Sequence, residues 1–279
     1  MFTRLNPMQK GARVHMTQLT DLKFKEKKNL FIPYIMSGDP SSEATVDVAL
    51  TLQEAGADVI EWGVPYSDPL ADGPVIEQAA NRALEKGMNI IRAIELVKEA
   101  RNRGLTIPVV LFTYVNPVLR VGEKDLVNKL GEAGIDGLLI PDLPMEESGS
   151  LRSLTKEKGI ALISLIAPTS KKRVVAIARQ SEGFLYLVSS LGVTGTRDSF
   201  ESDLTGLVEN VKKVTDTPVA VGFGISKREH VKKFHTIADG AVVGSAIVRF
   251  LNERKDQLTG PEKEKALREL KGFVEELIS

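Results

Sequence analysis

The sequence predicts an α/β protein built as an eight-stranded βα-barrel, the TIM-barrel fold. Eight short apolar segments alternate with segments of helical periodicity along 279 residues, a length typical of this fold. Several of these segments are continuous aliphatic runs, which is typical of parallel strands covered on both faces. A full G-x-G-x-x-G motif, usual after the first strand of a doubly wound sheet, is absent from the sequence. The barrel is therefore favoured over the open sheet.

The strands and helices follow in order from this pattern. Helices end at glycines that precede strands, as at Gly56, Gly104, Gly134 and Gly159, because glycine suits the left-handed position after a helix. Asp39 and Pro40 are interpreted as the N-cap and first residue of the helix after strand 1. The predicted strands are 31–36, 59–63, 108–114, 137–141, 161–167, 184–190, 218–222 and 240–244.

Two extra helices complete the prediction, an N-terminal one at 19–27 and a C-terminal one at 261–278. Residues 1–15 are polar and without periodicity, so they are interpreted as a disordered extension. Residues 16–279 are expected to form a single TIM-barrel catalytic domain.

Composition excludes several classes of function. Lys+Arg and Asp+Glu both number 37, and this balance argues against a nucleic-acid or anionic-membrane surface. There is no cysteine, which rules out thiolate chemistry and cysteine-based zinc sites. No apolar run is long enough to span a membrane, and the first residues lack the apolar region of a signal peptide. A cytoplasmic location is the expectation.

Carboxylates at the predicted mouth of the barrel are the first candidate site residues. Active sites of this fold lie at the carboxyl ends of the strands. Glu61 lies in the carboxyl-terminal part of strand 2, where an acid among apolar neighbours is either a buried ion pair or a functional group. Asp68 and Asp72 follow in its loop and, on local grounds, fit ordinary turn residues. Asp142, after strand 4, is expected to brace a loop.

Glycine-rich loops after the last three strands form the second candidate site. They are 192–196, 222–226 and Gly244-Ser245. Loops after strands 7 and 8 of barrels commonly hold a phosphate on backbone N–H groups. Glycine also ends strands for steric reasons, but three such loops together favour phosphate binding.

Other side chains narrow the chemistry to carboxylate acid–base catalysis on a phosphorylated substrate. No lysine lies at a strand end for Schiff-base chemistry. His15, His230 and His235 fall in the N-terminal tail or the helix after strand 7, where we expect surface residues and no metal site. Apolar pocket walls suited to a flat ring are expected at or near the strand ends, at Tyr34, Phe112, Leu139, Leu165, Tyr186 and Phe223.

The segment 61–74, EWGVPYSDPLADGP, closely resembles the signature of tryptophan synthase alpha chains. The resemblance continues through 31–34, 192–195, 222–226 and Gly244-Ser245, and spans roughly residues 16–278. It implies a lyase that cleaves indole-3-glycerol phosphate to indole and glyceraldehyde 3-phosphate.

The resemblance also implies a role for each matched residue. Glu61 would be the acid and base, Asp72 would hold the indole N–H, and Tyr186 would orient Glu61 or the glyceryl chain. Thr194 would belong to a loop that closes over the substrate. The phosphate would bind at Gly195, Phe223, Gly224, Gly244 and Ser245.

A partner subunit is implied as well. Chains of this family pair with a pyridoxal-phosphate beta subunit in an alpha2-beta2 complex, with contacts expected at Asp68, Asn116 and Pro144. The alpha chain itself would need no cofactor. Trp62 departs from the family, which has a smaller aliphatic residue there. Strand alternation turns it away from Glu61, towards the helices.

Three alternatives stay open at this point. Another phosphate-binding barrel of histidine or tryptophan biosynthesis would share the glycine loops but not the run 67–74. A non-catalytic binding homologue is disfavoured because Glu61 and Asp72 are both present. A lyase that works without a partner is also compatible with the sequence.

Overall fold

The eight strands close into one parallel barrel in chain order, β1 to β8. The computed structural model describes residues 26–70, 72–167, 171–188, 197–222 and 227–279, together with Leu19 and Phe24. The strands are β1 (Leu30–Met36), β2 (Ile60–Gly63), β3 (Val109–Phe112), β4 (Gly137–Leu139), β5 (Ala161–Ile166), β6 (Leu185–Val188), β7 (Val219–Gly222) and β8 (Gly240–Val243).

Helices on the outside of the barrel connect the strands. In chain order they are α1 (Ser42–Glu54), α2 (Pro74–Glu85), α3 (Ile90–Asn102), α4 (Val115–Val121), α5 (Glu123–Ala133), α6 (Gly149–Glu157), α7 (Lys171–Arg179), α8 (Arg197–Lys212), α9 (Arg228–Ile237), α10 (Ser245–Glu253), α11 (Lys255–Leu258) and α12 (Lys263–Ile278), with a short 3-10 helix at Met145–Glu147. The barrel fold predicted from the sequence is confirmed.

All eight predicted strands are present, and several are shorter at their carboxyl ends than predicted. The third strand stops at Phe112, and Tyr114 is already the N-cap of α4. The fourth stops at Leu139, although Ile140 is only 4% exposed. Tyr114 and Ile140 are buried although they lie beyond the strands, so apolar character alone overestimates strand length.

The start of α1 differs from its prediction. Ser41 is the N-cap, and its hydroxyl accepts a hydrogen bond from the Ala44 N–H at 3.1 Å. Asp39 instead accepts two hydrogen bonds of 2.8 Å from Arg82. The capping role assigned to Asp39 and Pro40 was therefore wrong, because a stronger partner for the carboxylate comes from α2.

The helix-ending glycines and the C-terminal helix match their predictions. Gly56 and Gly134 have φ angles of 97° and 71°, a conformation that L side chains rarely adopt. The predicted helix at 261–278 is α12, which packs on α1. Most of the predicted N-terminal helix, and all of residues 1–15, lie outside the described residues.

One pattern of hydrogen bonds and ion pairs is repeated at the amino-terminal end of the barrel. Before each even-numbered strand, an acid accepts a hydrogen bond from a backbone N–H near the start of the preceding odd strand. Each acid also pairs with a basic residue. The acids, with the N–H donors in parentheses, are Asp58 (Phe31), Asp136 (Val109), Glu182 (Leu162) and Asp239 (Val219). The basic partners are Lys27 for Asp58, Arg101 for Asp136, Arg152 for Glu182, and Lys28 with Lys212 for Asp239.

Candidate active site

A cavity of about 460 Å³ opens at the carboxyl ends of the strands. It is large enough for a small organic molecule. Its walls combine two carboxylates with mainly apolar and aromatic side chains. They are Tyr34, Glu61, Leu70, Asp72, Gly73, Ile76, Phe112, Pro141, Leu165, Tyr186, Val188, Val242, Gly244 and Ser245.

Glu61 is held inside the barrel by strand β2. Its side chain is buried, at 2% exposure, and its Oε1 has no hydrogen-bond partner in the part of the chain that the structure describes. Burial, and then the nearby charge of Asp72, raise the pKa of Glu61 to about 8. Glu61 is therefore neutral at pH 7 and able to donate a proton. No described lysine or arginine forms an ion pair with it, which argues against the buried ion-pair interpretation.

Asp72 lies on the same cavity, just before α2. Burial raises its pKa to about 6, the Tyr114 hydroxyl opposes this by hydrogen-bonding the carboxylate, and the charge of Glu77 raises it further. Asp72 is therefore mostly ionised at pH 7, while Glu61 is protonated. Two carboxyl groups whose pKa values are separated in this way can act as an acid and an anion within one site.

Tyr34 and Tyr186 reach the cavity because their neighbours are glycines. A Cβ on Gly63 would lie 2.1 Å from the Tyr34 hydroxyl oxygen, and one on Gly222 would lie 2.2 Å from that of Tyr186. Burial, together with the charges of Glu61 and Asp72, raises both tyrosine pKa values well above their usual range. Both phenols therefore stay neutral and are available as donors to a ligand.

The predicted ring pocket is assembled with one exception among the described residues. Phe112 and Leu165 line the cavity beside Tyr34, whose ring meets that of Phe112 edge to face at 5.9 Å. Leu139 is fully buried in β4 and does not line the cavity. Trp62 is fully buried too and, as expected, lies away from the cavity.

The cavity wall also includes Gly244 and Ser245, at the N-terminus of α10. Backbone N–H groups at such a helix end favour an anion. The other predicted phosphate residues, Gly195, Phe223 and Gly224, and the loop residue Thr194 lie outside the described residues.

Residues expected at a partner contact are exposed around the same face. Asp68 accepts a hydrogen bond of 2.5 Å from the Ser67 hydroxyl, and Asn116 donates one of 2.7 Å to the Tyr66 hydroxyl. Pro144 is exposed beside Met145–Glu147. Asp142 accepts a hydrogen bond of 2.9 Å from the Val115 N–H, which is the bracing role expected of it.

Several wall residues were not found from the sequence. Leu70 and Ile76 follow Glu61 by 9 and 15 residues and carry no signal beyond being apolar. Tyr114, which does not line the cavity but hydrogen-bonds Asp72, was also missed, because the predicted third strand was too long and ended at this residue. Only its position, two residues after Phe112, could have placed it at the mouth of the barrel.

The histidines lie elsewhere. His235 is half-buried rather than on the surface, because its Nε2 lies 3.3 Å from the Leu30 carbonyl oxygen. His230, in the first turn of α9, is also half-buried. Neither lines the cavity, and the described residues contain no cluster of three or more His, Asp or Glu that could hold a metal ion. No described helix is long and apolar enough to cross a membrane.

Sequence comparisons with known proteins all point to the same family. The family model for the tryptophan synthase alpha chain matches residues 20–277. The tryptophan synthase alpha chain of Halalkalibacterium halodurans is 53% identical over 254 residues, which cover 91% of this chain and 96% of that one. That of Bacillus subtilis strain 168 is 52% identical over 255 residues, covering 91% and 95%.

Solved structures give the same result. Tryptophan synthase subunit alpha from Legionella pneumophila aligns with a TM-score of 0.81 at 32% identity, covering 93% of this chain and 95% of that one. A chain of the tryptophan synthase a2b2 complex from Pyrococcus furiosus aligns with a TM-score of 0.79 at 38% identity, covering 90% and 98%.

Proposed function

Because the chain belongs to the tryptophan synthase alpha chain family, we propose that its cavity cleaves indole-3-glycerol phosphate to indole and glyceraldehyde 3-phosphate. The roles of the residues are assigned from one observation. Of the two carboxyl groups that line the cavity, one is protonated and the other is ionised at pH 7. Glu61 has a pKa raised to about 8 and Asp72 one of about 6. A neutral acid and an anion are what this retro-aldol reaction requires.

Glu61 transfers protons at both ends of the bond that breaks. Its neutral carboxyl protonates C3 of the indole ring, and this leaves a positive charge on the ring. The resulting carboxylate then takes the proton from the C3′ hydroxyl. The C3–C3′ bond breaks, its electron pair returns to the ring, and the hydroxyl carbon becomes the aldehyde. Glu61 ends the cycle protonated, so no other group has to restore it.

Asp72 stabilises the charge that appears between these two proton transfers. Its carboxylate accepts a hydrogen bond from the indole N–H, where the positive charge develops after protonation of C3. A buried anion stabilises this charge strongly because little water screens it. Tyr186, neutral and facing both carboxylates, orients Glu61 or the glyceryl chain.

The remaining cavity surface accommodates the two ends of the substrate. Tyr34, Phe112 and Leu165 pack against the indole ring, and Leu139, which is buried and pairs with Phe112 in the sheet, supports them. The phosphate binds at Gly244 and Ser245, at the positive end of α10. The resemblance assigns Gly195, Phe223 and Gly224 to the same phosphate site and Thr194 to the loop beside the substrate, and all four lie outside the described residues.

The biological context follows from the family. The Pyrococcus furiosus relative is described as an a2b2 complex, and this chain pairs with a beta subunit in the same way, through Asp68, Asn116 and Pro144. Indole passes to that subunit for tryptophan synthesis. Pyridoxal phosphate belongs to the beta subunit, so this chain works without a cofactor. We place this reaction in the cytoplasm, and residues 16–279 form its single catalytic domain.

One assay tests the proposal and its alternatives. Indole release from indole-3-glycerol phosphate is measured for the full chain alone and with a tryptophan synthase beta subunit. We expect cleavage in both conditions and a higher rate with the partner. No cleavage in either would contradict the lyase assignment and favour a non-catalytic binding subunit. Cleavage that the partner does not change would contradict the subunit role and favour a stand-alone lyase.

A further inference from the structure

The Tyr114 side chain is buried and contacts the Asp72 carboxylate. It is 1% exposed, and its hydroxyl donates a hydrogen bond to the Asp72 carboxylate. Asp72 sits in the loop before α2, so this bond is a link from the end of β3 to that loop. The ring of Tyr114 is fixed edge to face against Phe112 at 5.9 Å. A phenol held this firmly fixes where the carboxylate points.

The other face of the Tyr114 ring leads to the protein surface. Tyr66 stacks on it with ring centroids 5.0 Å apart and an interplanar angle of 27°. The Tyr66 hydroxyl accepts a hydrogen bond of 2.7 Å from Asn116, which is exposed. An uninterrupted chain of contacts therefore runs from Asp72, through Tyr114 and Tyr66, to Asn116.

We propose that Tyr114 is a positioning residue for Asp72, and that the stacked tyrosine pair couples the position of this carboxylate to Asn116 at the partner surface. The inference rests on the proposed function. A partner that engages Asn116 shifts the Tyr66 ring, and the stacked Tyr114 moves with it. The partner thereby changes how well Asp72 meets the indole N–H.

The pH dependence of catalysis reports this contact. The Tyr114 hydrogen bond stabilises the charged form of Asp72, so its loss raises the pKa of Asp72 and moves the acid limb of activity to higher pH. The other titratable or charged groups that face Asp72 from the neighbouring elements are Tyr34, Glu61, Glu77 and Tyr186. None of these groups is removed in Tyr114→Phe.

Tyr114→Phe removes only the hydroxyl and keeps both ring contacts. We expect kcat/KM for indole-3-glycerol phosphate to fall roughly ten-fold or more, as for loss of a hydrogen bond to a charged group. The acid limb of the pH profile of kcat/KM should move to higher pH by about one unit. The matched control is Tyr34→Phe, which removes a second buried cavity hydroxyl whose described hydrogen bond is a long one to Met36 Sδ, at 3.9 Å. Its acid limb should stay at the wild-type pH.

An unshifted limb in Tyr114→Phe, or an equal shift in Tyr34→Phe, would overturn the positioning role. Because wild-type cleavage is measured in the same series, failure of the proposed function is recognised separately, by inactivity of the wild-type chain.

Tyr66→Phe tests the coupling. It removes the acceptor for Asn116 and keeps the stacked ring. The measured quantity is the activation factor, the cleavage rate with the beta subunit at saturation divided by the rate without it. We expect this factor to fall several-fold in Tyr66→Phe. An activation factor equal to that of the wild type would show that Asn116 and Tyr66 do not transmit the effect of the partner.

Discussion

Acidic residues lie at both ends of the barrel, but in the part of the chain that the structure describes they are paired with basic residues at one end and unpaired at the other. At the amino-terminal end, Asp58, Asp136, Glu182 and Asp239 each accept a backbone N–H and pair with a lysine or arginine. At the carboxyl end, Glu61 and Asp72 form no ion pair with any described lysine or arginine, and both have raised pKa values.

The difference between these ends separates stability from reactivity. A buried carboxylate that is paired and hydrogen-bonded remains an anion and holds strands together. An unpaired one loses hydration without compensation, so its neutral form is favoured and folding is weakened. The barrel carries that cost where the proposed reaction needs a mobile proton, and the paired acids at the opposite end hold neighbouring strands together.

The largest expected effect is on catalysis at the unpaired end. Glu61→Gln removes the proposed proton donor and acceptor, keeps the size of the side chain, and leaves a polar amide in the buried position. We expect cleavage to fall by about 10²–10⁴-fold, the range for loss of a positioned acid or base, while binding of inorganic phosphate or a phosphorylated ligand is retained. Steady-state indole release and calorimetric titration measure the two. Turnover near the wild-type level would show that another group is the acid.

The same variant should be more stable than the wild type at alkaline pH. The folded-state pKa of Glu61, about 8, lies above the ordinary value of 4.5. Its contribution to stability is therefore fully present below about pH 4.5 and is lost as the pH rises through about 8. Glu61→Gln should gain a few kcal/mol at pH 9, on the order of 1.4 kcal/mol per pKa unit. Urea unfolding at pH 5 and pH 9 measures this, and equal stability differences at both would contradict a buried neutral carboxyl.

Removal of a paired acid at the amino-terminal end should lower the free energy of unfolding by a few kcal/mol, similar in size to the gain expected for Glu61→Gln. Asp239 is 4% exposed, and burial alone would raise its pKa, but Lys212, Lys28 and the Val219 N–H together lower it. Because the folded-state pKa is lowered, this stability is present above about pH 4 and is lost as the pH falls through the folded value. Asp239→Ala should cost about 2–4 kcal/mol at pH 7. A cost that does not shrink towards pH 3 would contradict the ionic account.

The sequence was informative where local pattern determines structure and uninformative where distant parts meet. Apolar runs and helix-ending glycines were sufficient for all eight strands. Glu61 could be singled out because an acid on a barrel strand end is unusual. Asp72 could not, since a carboxylate before glycine fits any turn. Its proposed role depends on burial and on Tyr114, which approaches from the loop after β3.

The acids at the amino-terminal end show a second reason why sequence falls short. Asp58 and Asp136 follow helix-ending glycines by two residues, so their place just before a strand could be inferred. Their hydrogen bonds to the preceding odd strand could not, because these depend on the strand register. Lys27 and Arg101, their basic partners, come from elements well separated in sequence from the acids.

The smallest expected effect is on the free energy of unfolding. It tests whether the acid or the base of an ion pair at the amino-terminal end contributes more to stability. Lys27 is 51% exposed on its side chain and pairs with Asp58 at 2.9 Å, while Asp58 also accepts the Phe31 N–H at 2.9 Å. Lys27→Met keeps the aliphatic stem and removes only the charge, so we expect a loss below about 0.5 kcal/mol. Asp58→Asn, which weakens the bond to the β1 backbone as well, should cost about 1–2 kcal/mol. Thermal and urea unfolding of the two variants give the comparison. A Lys27 loss equal to that of Asp58 would assign the stability to the ion pair. The expected order would assign it to the carboxylate that joins β2 to β1.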